Sequence, residues 1–178
     1  MPTPSLFRAI DKRGLLVVDT GPIREMVTFH AVTRYRFERL RRDLQLIRDP
    51  ESYDQCGEFI ASFRRKTTSA CVVAELNYWI RSTERPGQQK LWNRVHEEFG
   101  EMGMDEEVVR LVEMVSTDQM GLALLARLGP VDVSLMGLAL RHADKGAVVL
   151  TTDDPLCGEC ERAGLHVSHL REVAWIVR

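Results

Sequence analysis

The stretch Leu15-Leu16-Val17-Val18-Asp19-Thr20-Gly21-Pro22 decides the fold of this chain. A short apolar run bounded by turn residues is typical of a buried strand, and Pro22 favours the first turn of a helix after it. A second apolar run, over residues 147–150, ends in the same way at Thr151-Thr152-Asp153-Asp154-Pro155. Both segments therefore predict a strand that ends at an acid and leads into a helix.

Stretches with helical spacing of apolar residues separate these two strands. Residues 23–47 contain no Gly or Pro and predict one long or broken helix, and the spacing predicts further helices over 53–63, 71–80, 88–99, 105–115, 118–128 and 131–142. Strands that alternate with helices are typical of a parallel sheet covered on both faces. We predict a helix-rich, three-layer α/β/α domain with a central parallel sheet, whose ligand site lies at the carboxyl ends of the strands.

Length and composition limit the class of protein. The 178 residues suffice for one domain with a buried core, so residues 1–178 are expected to form a single unit. No apolar run reaches the roughly 18 residues of a membrane helix, and the first residues lack the apolar core of a signal peptide. A cytoplasmic protein that does not use a membrane is expected, and its four cysteines should be free thiols in that reducing compartment.

Four acids stand out because each interrupts apolar sequence: Asp19, Glu75, Asp132 and Asp153. Helical spacing would place Glu75 among Cys71, Val72, Tyr78 and Trp79, on an apolar stripe. A buried carboxylate is costly unless it is paired or bound to metal. Oxygen ligands suit Mg²⁺ or Mn²⁺, and such ions promote in-line displacement at a phosphodiester.

Each of these acids also has a structural interpretation. Glu75 could be a buried, hydrogen-bonded carboxylate, and Asp19 could cap a turn before Pro22. Asp132 could be an acid in the first turn of a helix, where it favours the helix dipole. In the last pair, Pro155 at the first helical position would make Asp154 the N-cap and leave Asp153 at the strand end.

The succession VVDTGP, VAELNYW, GPVDVSLMGLA and VVLTTDDPL resembles the PIN-domain family, which includes VapC-like toxins of toxin-antitoxin systems. The resemblance extends in order over residues 15–170. It implies a PIN-like fold and a Mg²⁺- or Mn²⁺-dependent endoribonuclease in which Asp19, Glu75, Asp132 and Asp153 are the metal ligands and catalytic acids. It also implies supporting roles for Thr20, Thr151 and Asp154, a homodimer, and, for a toxin, a partner antitoxin.

Residues 23–66 depart from the compact toxin pattern and predict an arginine-rich helical insertion. Residues 24–66 hold ten Lys and Arg against seven Asp and Glu, although the whole chain carries a net charge of −2. Because the chain is not basic overall, RNA contact needs a local patch, since guanidinium groups pair well with phosphates. The candidates are Arg34, Arg36, Arg39, Arg41 and Arg42; the alternative is an ordinary solvated helix face.

Other functions remain open from the sequence. Asp19-Thr20-Gly21 matches the aspartic-protease triplet, but that fold is rich in strands and this chain is predicted to be mainly helical. Asp19 could also be the nucleophile of a phosphatase or phosphotransferase, and a flap-type DNA nuclease or a catalytically inactive RNA-binding or regulatory module would share the fold. Cys157-Gly158-Glu159-Cys160 resembles half of a zinc or redox motif, without a second pair to complete a zinc site.

Overall fold

A central sheet of five parallel strands organises the protein. The computed structural model describes residues 12–83, 85–109 and 119–173. The strands are β1 (Leu15–Val18), β2 (Arg65–Ser69), β3 (Met104–Glu107), β4 (Val148–Thr151) and β5 (His166–His169). Their order across the sheet is β3-β2-β1-β4-β5, and every pairing is parallel. The predicted helix-rich α/β class with a central parallel sheet is confirmed.

Helices connect the strands and cover the sheet. In the described part of the chain they are α1 (Thr20–Tyr35), α2 (Pro50–Ala61), α3 (Ala70–Ser82), α4 (Arg85–Met102), α5 (Gln119–Leu128), α6 (Pro130–Arg141), α7 (Asp154–Arg162) and α8 (Leu170–Val173). Short 3₁₀ turns span Glu38–Asp43 and Ala143–Lys145. No helix among the described residues is long and apolar enough to cross a membrane.

The order of the strands positions a crevice beside β1. From β1 the chain moves outward to β2 and β3, and it then returns to place β4 and β5 on the opposite side of β1. In parallel sheets, ligands bind outside the carboxyl ends of the strands where the direction of winding reverses. Here that point lies between β1 and β4, and the backbone N–H of Asp19 extends their pairing by bonding Leu150 O at 3.0 Å.

One local prediction was wrong, and a second is decided between its two alternatives. The predicted helix over 105–115 begins instead with the edge strand β3, which is stabilised by pairing with β2, and residues 110–118 lie outside the described residues. The helix predicted over 23–47 as long or broken is broken: it ends at Tyr35, because Arg36 adopts a left-handed conformation with φ 58° and its N–H bonds Ala31 O, and a 3₁₀ turn follows. No Gly or Pro in the sequence marks this end.

A buried carboxylate anchors the chain after α1. Glu25, on α1, is only 6% exposed and accepts hydrogen bonds from the backbone N–H groups of Gln45, Leu46 and Ile47 at 2.8, 3.2 and 3.0 Å. These bonds hold residues 36–49, which contain most of the predicted arginine patch, against α1. That residues 23–66 are an insertion within a single domain stays a prediction.

Candidate active site

The four acids predicted from the sequence line one pocket of about 460 Å³ at the carboxyl ends of β1 and β4. We call this the acidic pocket; its carboxylates belong to Asp19, Glu75, Asp132 and Asp153. They come from four separate segments of the chain, so their convergence is a property of the fold. Like charges gathered in a partly buried place favour protonation of some members or binding of a cation.

Asp19 lies deepest in the acidic pocket. It follows β1 directly, caps α1 and is 6% exposed. One carboxylate oxygen accepts a hydrogen bond from the Thr20 N–H at 2.5 Å, and the other accepts one from Thr151 Oγ1 at 2.6 Å. Burial raises the pKa of Asp19 to about 6; those hydrogen bonds oppose the rise, whereas the charges of Glu75 and Asp153 add to it.

Two threonines link the acids in pairs: Thr20 through its hydroxyl and its backbone N–H, and Thr151 through its hydroxyl alone. Thr20 Oγ1 donates to Glu75 Oε2 at 2.5 Å, while its backbone N–H bonds Asp19. Thr151 Oγ1 donates to Asp19 and accepts from the backbone N–H of Asp153 at 3.0 Å. Thr20 and Thr151, predicted as supporting residues, therefore lie where they can orient three of the four carboxylates.

Asp132 enters the acidic pocket from the first turn of α6. Gly129, with φ 88°, starts this helix and Pro130 is its first residue. A buried contact between the hydroxyls of Ser134 and Ser69, 2.7 Å apart, fixes the helix start against the end of β2. Burial raises the pKa of Asp132 to about 7, and the charges of Asp19, Asp153 and Glu75 contribute. The position also suits the helix dipole, as the structural interpretation of Asp132 expected, while its role as a metal ligand stays a prediction.

The last acid pair differs from the prediction. Asp153, not Asp154, is the N-cap of α7, and its Oδ1 accepts from the Leu156 N–H at 2.7 Å. Among the described residues its second oxygen accepts no hydrogen bond, which leaves it available to the pocket. Asp154 is the first helical residue, does not line the pocket, and lies 3.5 Å from His169 and 3.8 Å from Arg171.

Glu75 is also placed differently from the prediction. It is exposed, because α3 packs on the core through Val72, Leu76, Trp79 and Ile80 and turns Glu75 and Tyr78 toward solvent. The apolar residues around Glu75 were therefore misread as a surrounding stripe. Its hydrogen bond from Thr20 still brings its carboxylate to the edge of the acidic pocket.

The acids fit a divalent cation by charge and donor chemistry, although not by their present spacing. Within residues 12–83, 85–109 and 119–173, no three His, Cys, Asp or Glu side chains form a group that could hold a metal ion. Carboxylate oxygens without thiol or imidazole are the ligands that Mg²⁺ and Mn²⁺ prefer. A cation here would also relieve the repulsion that contributes to the raised pKa of Asp19 and Asp132.

A larger cavity of about 830 Å³ adjoins the acidic pocket. We call it the arginine groove; it is lined by Arg24, Arg36, Phe37, Arg39, Arg42, Tyr78 and Trp79, among others. Three of the five arginines predicted to bind RNA line it, namely Arg36, Arg39 and Arg42. Arg34 and Arg41 do not, and Arg41 pairs with Glu38 at 2.8 Å on the surface.

Several pocket residues were not predicted from the sequence. Arg24 lines both cavities and its guanidinium lies 5.5 Å from the centre of the Trp79 ring. It is four residues after Thr20, so helical spacing could have placed both on one face of α1. Gly21 approaches Thr152 so closely that a Cβ at Gly21 would lie 1.9 Å from Thr152 Oγ1.

The cysteines do not form a site with the acids. All four are free, and burial raises the pKa of Cys157 and Cys160 to about 12. Thiolates are the reactive and metal-binding form, and a raised pKa disfavours them. These two residues are therefore poor candidates for redox or zinc chemistry.

Comparison with known proteins finds distant likenesses among solved structures. No protein-family model and no curated protein matches the chain. A chain in the crystal structure of VapBC2 from Rickettsia felis, bound to a DNA fragment from their promoter, is similar at 14% identity and a TM-score of 0.49, over 87% of this chain and 98% of that one. A domain of a functionally unknown protein from Methanocaldococcus jannaschii is similar at 14% identity and a TM-score of 0.43, over 88% and 90%. At these values the likeness carries no argument about activity. That the fold is PIN-like stays a prediction from the sequence motifs.

Proposed function

We propose that the protein is a divalent-metal-dependent endoribonuclease of the PIN type. One observation carries the proposal: Asp19, Glu75, Asp132 and Asp153 line one pocket at the reversal point of a parallel sheet. The motifs that resemble the PIN family supply those same four residues. Hydrolysis of a phosphodiester is the reaction that this donor set suits, and the resemblance to the PIN family supplies RNA as the substrate.

The protein's own residues would hold and orient the reacting groups. Asp19, Glu75, Asp132 and Asp153 would hold Mg²⁺ or Mn²⁺, which when bound activates water and stabilises charge developing on a phosphoryl group. Thr151 and Thr20 hold the Asp19 carboxylate in one orientation through both of its oxygens. Because Asp19 and Asp132 have raised pKa values, the pocket keeps part of its charge neutralised by protons until a cation replaces them.

The direct test is cleavage of single-stranded RNA of mixed sequence by the purified protein with Mg²⁺ or Mn²⁺. We expect cleavage that stops with EDTA and returns with added metal. Asp19→Asn and Asp132→Asn should each abolish it while leaving the circular dichroism spectrum unchanged. Asp144→Asn, which removes an exposed acid at the opposite, amino end of the sheet, is the matched control and should cleave normally.

A catalytically inactive RNA-binding or regulatory module is the second candidate. The absence of a ready three-ligand metal group among the described residues favours it. RNA binding without cleavage under both metals, across many substrate sequences, would support this module and overturn the ribonuclease proposal. Full cleavage by Asp19→Asn would instead contradict the role given to the acidic pocket.

Assembly and location complete the proposal. A homodimer and a partner antitoxin stay predictions from the resemblance, and the cytoplasmic location stays a prediction from the sequence. Light scattering of the pure protein would test the dimer. Co-purification with the product of a neighbouring reading frame, followed by loss of cleavage in the complex, would test the antitoxin.

A further inference from the structure

The arginine groove adjoins the acidic pocket and shares Thr20, Arg24 and Glu75 with it. Its volume of about 830 Å³ lies within the range of roughly 300–1,000 Å³ that is usual for ligand sites. The four acids alone give no reason for such a cavity beside them. A linear polymer that reached the acids along the groove would pass several guanidinium groups and an exposed aromatic ring.

We propose that the arginine groove binds the unpaired RNA strand next to the bond that is cut, with one base stacked on Tyr78 and phosphates held by Arg24 and Arg36. This inference rests on the proposed ribonuclease function, since the acidic pocket defines where the cut occurs. It adds to that function a binding subsite made of this chain's own Tyr78, Arg24 and Arg36, which would accept an unpaired strand and not a duplex.

Tyr78 is the first observation that supports the proposal. Its side chain is 79% exposed, although its neighbours Leu76, Trp79 and Ile80 are buried in the core. An exposed ring beside guanidinium groups is the usual platform on which proteins stack an unpaired base. Bases in a duplex are stacked on one another and offer no free face, so a duplex could not use this ring.

Arg24 is held at the junction of the two cavities. Its guanidinium packs 5.5 Å from the centre of the buried Trp79 ring, an arrangement that restrains a long side chain before any ligand arrives. It lines both the acidic pocket and the arginine groove. A phosphate adjacent to the one that is cut would therefore meet a guanidinium that is already positioned.

Arg36 occupies a position that would suit glycine. Its φ of 58° is the only positive value of a non-glycine residue in the described part of the chain. Glycine adopts this conformation without strain and is the usual residue at such helix ends, whereas a side chain makes it costly. In the described residues the Arg36 guanidinium makes no hydrogen bond or ion pair, so intramolecular pairing does not explain the arginine. A ligand of the groove does.

The charges of the groove favour a nucleic acid. Glu38, an acid in its lining, is paired with Arg41 from outside the groove, and Asp43 lies 3.9 Å from Arg42. With these two acids paired, Arg24 and Arg36 face one further acid of the lining, Glu75, which lies at the border with the acidic pocket, so positive charge remains in excess. An acidic peptide could also pair with the guanidiniums; the exposed ring of Tyr78 beside them is what favours a nucleic acid, whose unpaired bases stack on such a ring.

The test measures binding separately from cleavage. Fluorescence anisotropy with a short labelled RNA in EDTA gives the dissociation constant for the single strand, for a duplex of the same sequence and for a strand without bases. We expect the single strand to bind at least about 10-fold tighter than either of the others, and Tyr78→Ala to weaken it by roughly 5- to 50-fold. Tyr78→Phe, which keeps the ring, should restore binding.

Arg36→Gly should make the protein more stable and bind RNA less tightly. It should raise the melting temperature, because glycine relieves the backbone strain, and yet weaken RNA binding. It should also reduce the slope of log affinity against log salt by about 0.7, the loss of one phosphate contact on a single strand. Lys145→Ala removes an exposed positive charge at the amino end of β4 and should change neither the affinity for RNA nor the slope.

The outcomes separate the groove from the active site. If the protein cleaves RNA and both Tyr78→Ala and Arg36→Gly bind RNA as tightly as the parent, the groove proposal is overturned. The ribonuclease proposal is then unaffected. If the protein never cleaves RNA but these variants lose affinity for it, the groove proposal stands and the ribonuclease proposal fails. Equal binding of the strand without bases, together with displacement of RNA by polyglutamate, would assign the groove to an acidic peptide instead.

Discussion

Thr151 Oγ1 donates a hydrogen bond to Asp19 Oδ2 at 2.6 Å and so joins the end of β4 to the acid that follows β1. The same oxygen accepts the backbone N–H of Asp153 at 3.0 Å. Both partners lie at the acidic pocket, and Thr151 itself is fully buried. One hydroxyl thus sets the relative position of two acids from neighbouring strands.

Removal of this hydroxyl should destabilise the fold and the site together. Thr151→Val keeps the shape of the side chain but leaves a buried carboxylate oxygen and a backbone N–H without this partner, at a cost of about 1–3 kcal/mol. Urea unfolding in EDTA at neutral pH measures the loss, and Thr151→Ser should recover most of it. Equal stability of Thr151→Val and the parent protein would show that the hydrogen bond contributes nothing.

The acid cluster should make stability depend on pH. Asp132 has a pKa raised to about 7, against 3.8 ordinarily, so between these values the folded state binds more protons than the unfolded state. Stability should therefore fall as pH rises from about 4 to 7, and Asp132→Asn should remove part of that fall. Because the side chain is half-exposed and screened by solvent, the free energy of unfolding of Asp132→Asn should exceed that of the parent by roughly 1–2 kcal/mol above pH 7.

Denaturation curves of Asp132→Asn at several pH values, without metal, check this sign. The variant and the parent should have similar stability below about pH 4 and should diverge above it. Added Mn²⁺ should narrow the gap, since a bound cation stabilises only the folded protein. A variant that is less stable than the parent at high pH in EDTA would contradict the proposed repulsion.

Gly21 and Thr152 should behave as a coupled pair. A Cβ on Gly21 would lie 1.9 Å from Thr152 Oγ1 and 3.0 Å from its Cβ, so Gly21→Ala must displace a residue that lies between Thr151 and Asp153. We expect Gly21→Ala to cost roughly 1–3 kcal/mol through overpacking. The double variant with Thr152→Ala should recover much of this loss; additive losses in the double-mutant cycle would exclude the coupling.

Glu25 does not line the arginine groove, but it should hold the chain segment that supplies the groove's arginines in place. Glu25→Gln keeps the size of the side chain but removes the charge that accepts three backbone hydrogen bonds, at a cost of about 2 kcal/mol or more. Hydrogen exchange should accelerate at the amides of Gln45, Leu46 and Ile47. Glu58→Gln, at an exposed position on α2, is the control, and unchanged exchange in Glu25→Gln would refute the anchoring role.

The parts of the fold that were predictable are those with a local cause. An apolar run that stops at Asp19 or near Asp153 identifies a strand end wherever it lies in space. A linker or edge strand was predicted over 100–104 and a helix from 105, whereas β3 spans Met104–Glu107, because Met104-Asp105-Glu106-Glu107 has little strand propensity and forms a strand through its pairing with β2. The end of α1 was missed because its left-handed residue is Arg36, where glycine is the usual signal.

The candidate site shows the same division. Its four acids were identifiable because carboxylates are rare inside apolar sequence, but which face of α3 is buried depends on tertiary packing, so Glu75 was placed wrongly. The choice between Asp153 and Asp154 as N-cap could not be made locally, because both precede Pro155 and either can accept from the backbone. The arginine groove could not be predicted from the sequence, since its lining comes from α1, α3, α4 and the chain between α1 and α2.

The pairing of β1 with β4, in which Leu16 lies beside Val148, has a consequence during protein synthesis. More than 100 residues separate β1 from Asp132 and from β4, so β1 leaves the ribosome well before its neighbour and two of the four acids, Asp132 and Asp153. Until then Asp19 has neither Thr151 nor β4 to define its surroundings. The acidic pocket is therefore complete only after residues 130–153 have emerged, so a ribosome that is translating the segment between β1 and β4, itself largely RNA, meets no finished pocket.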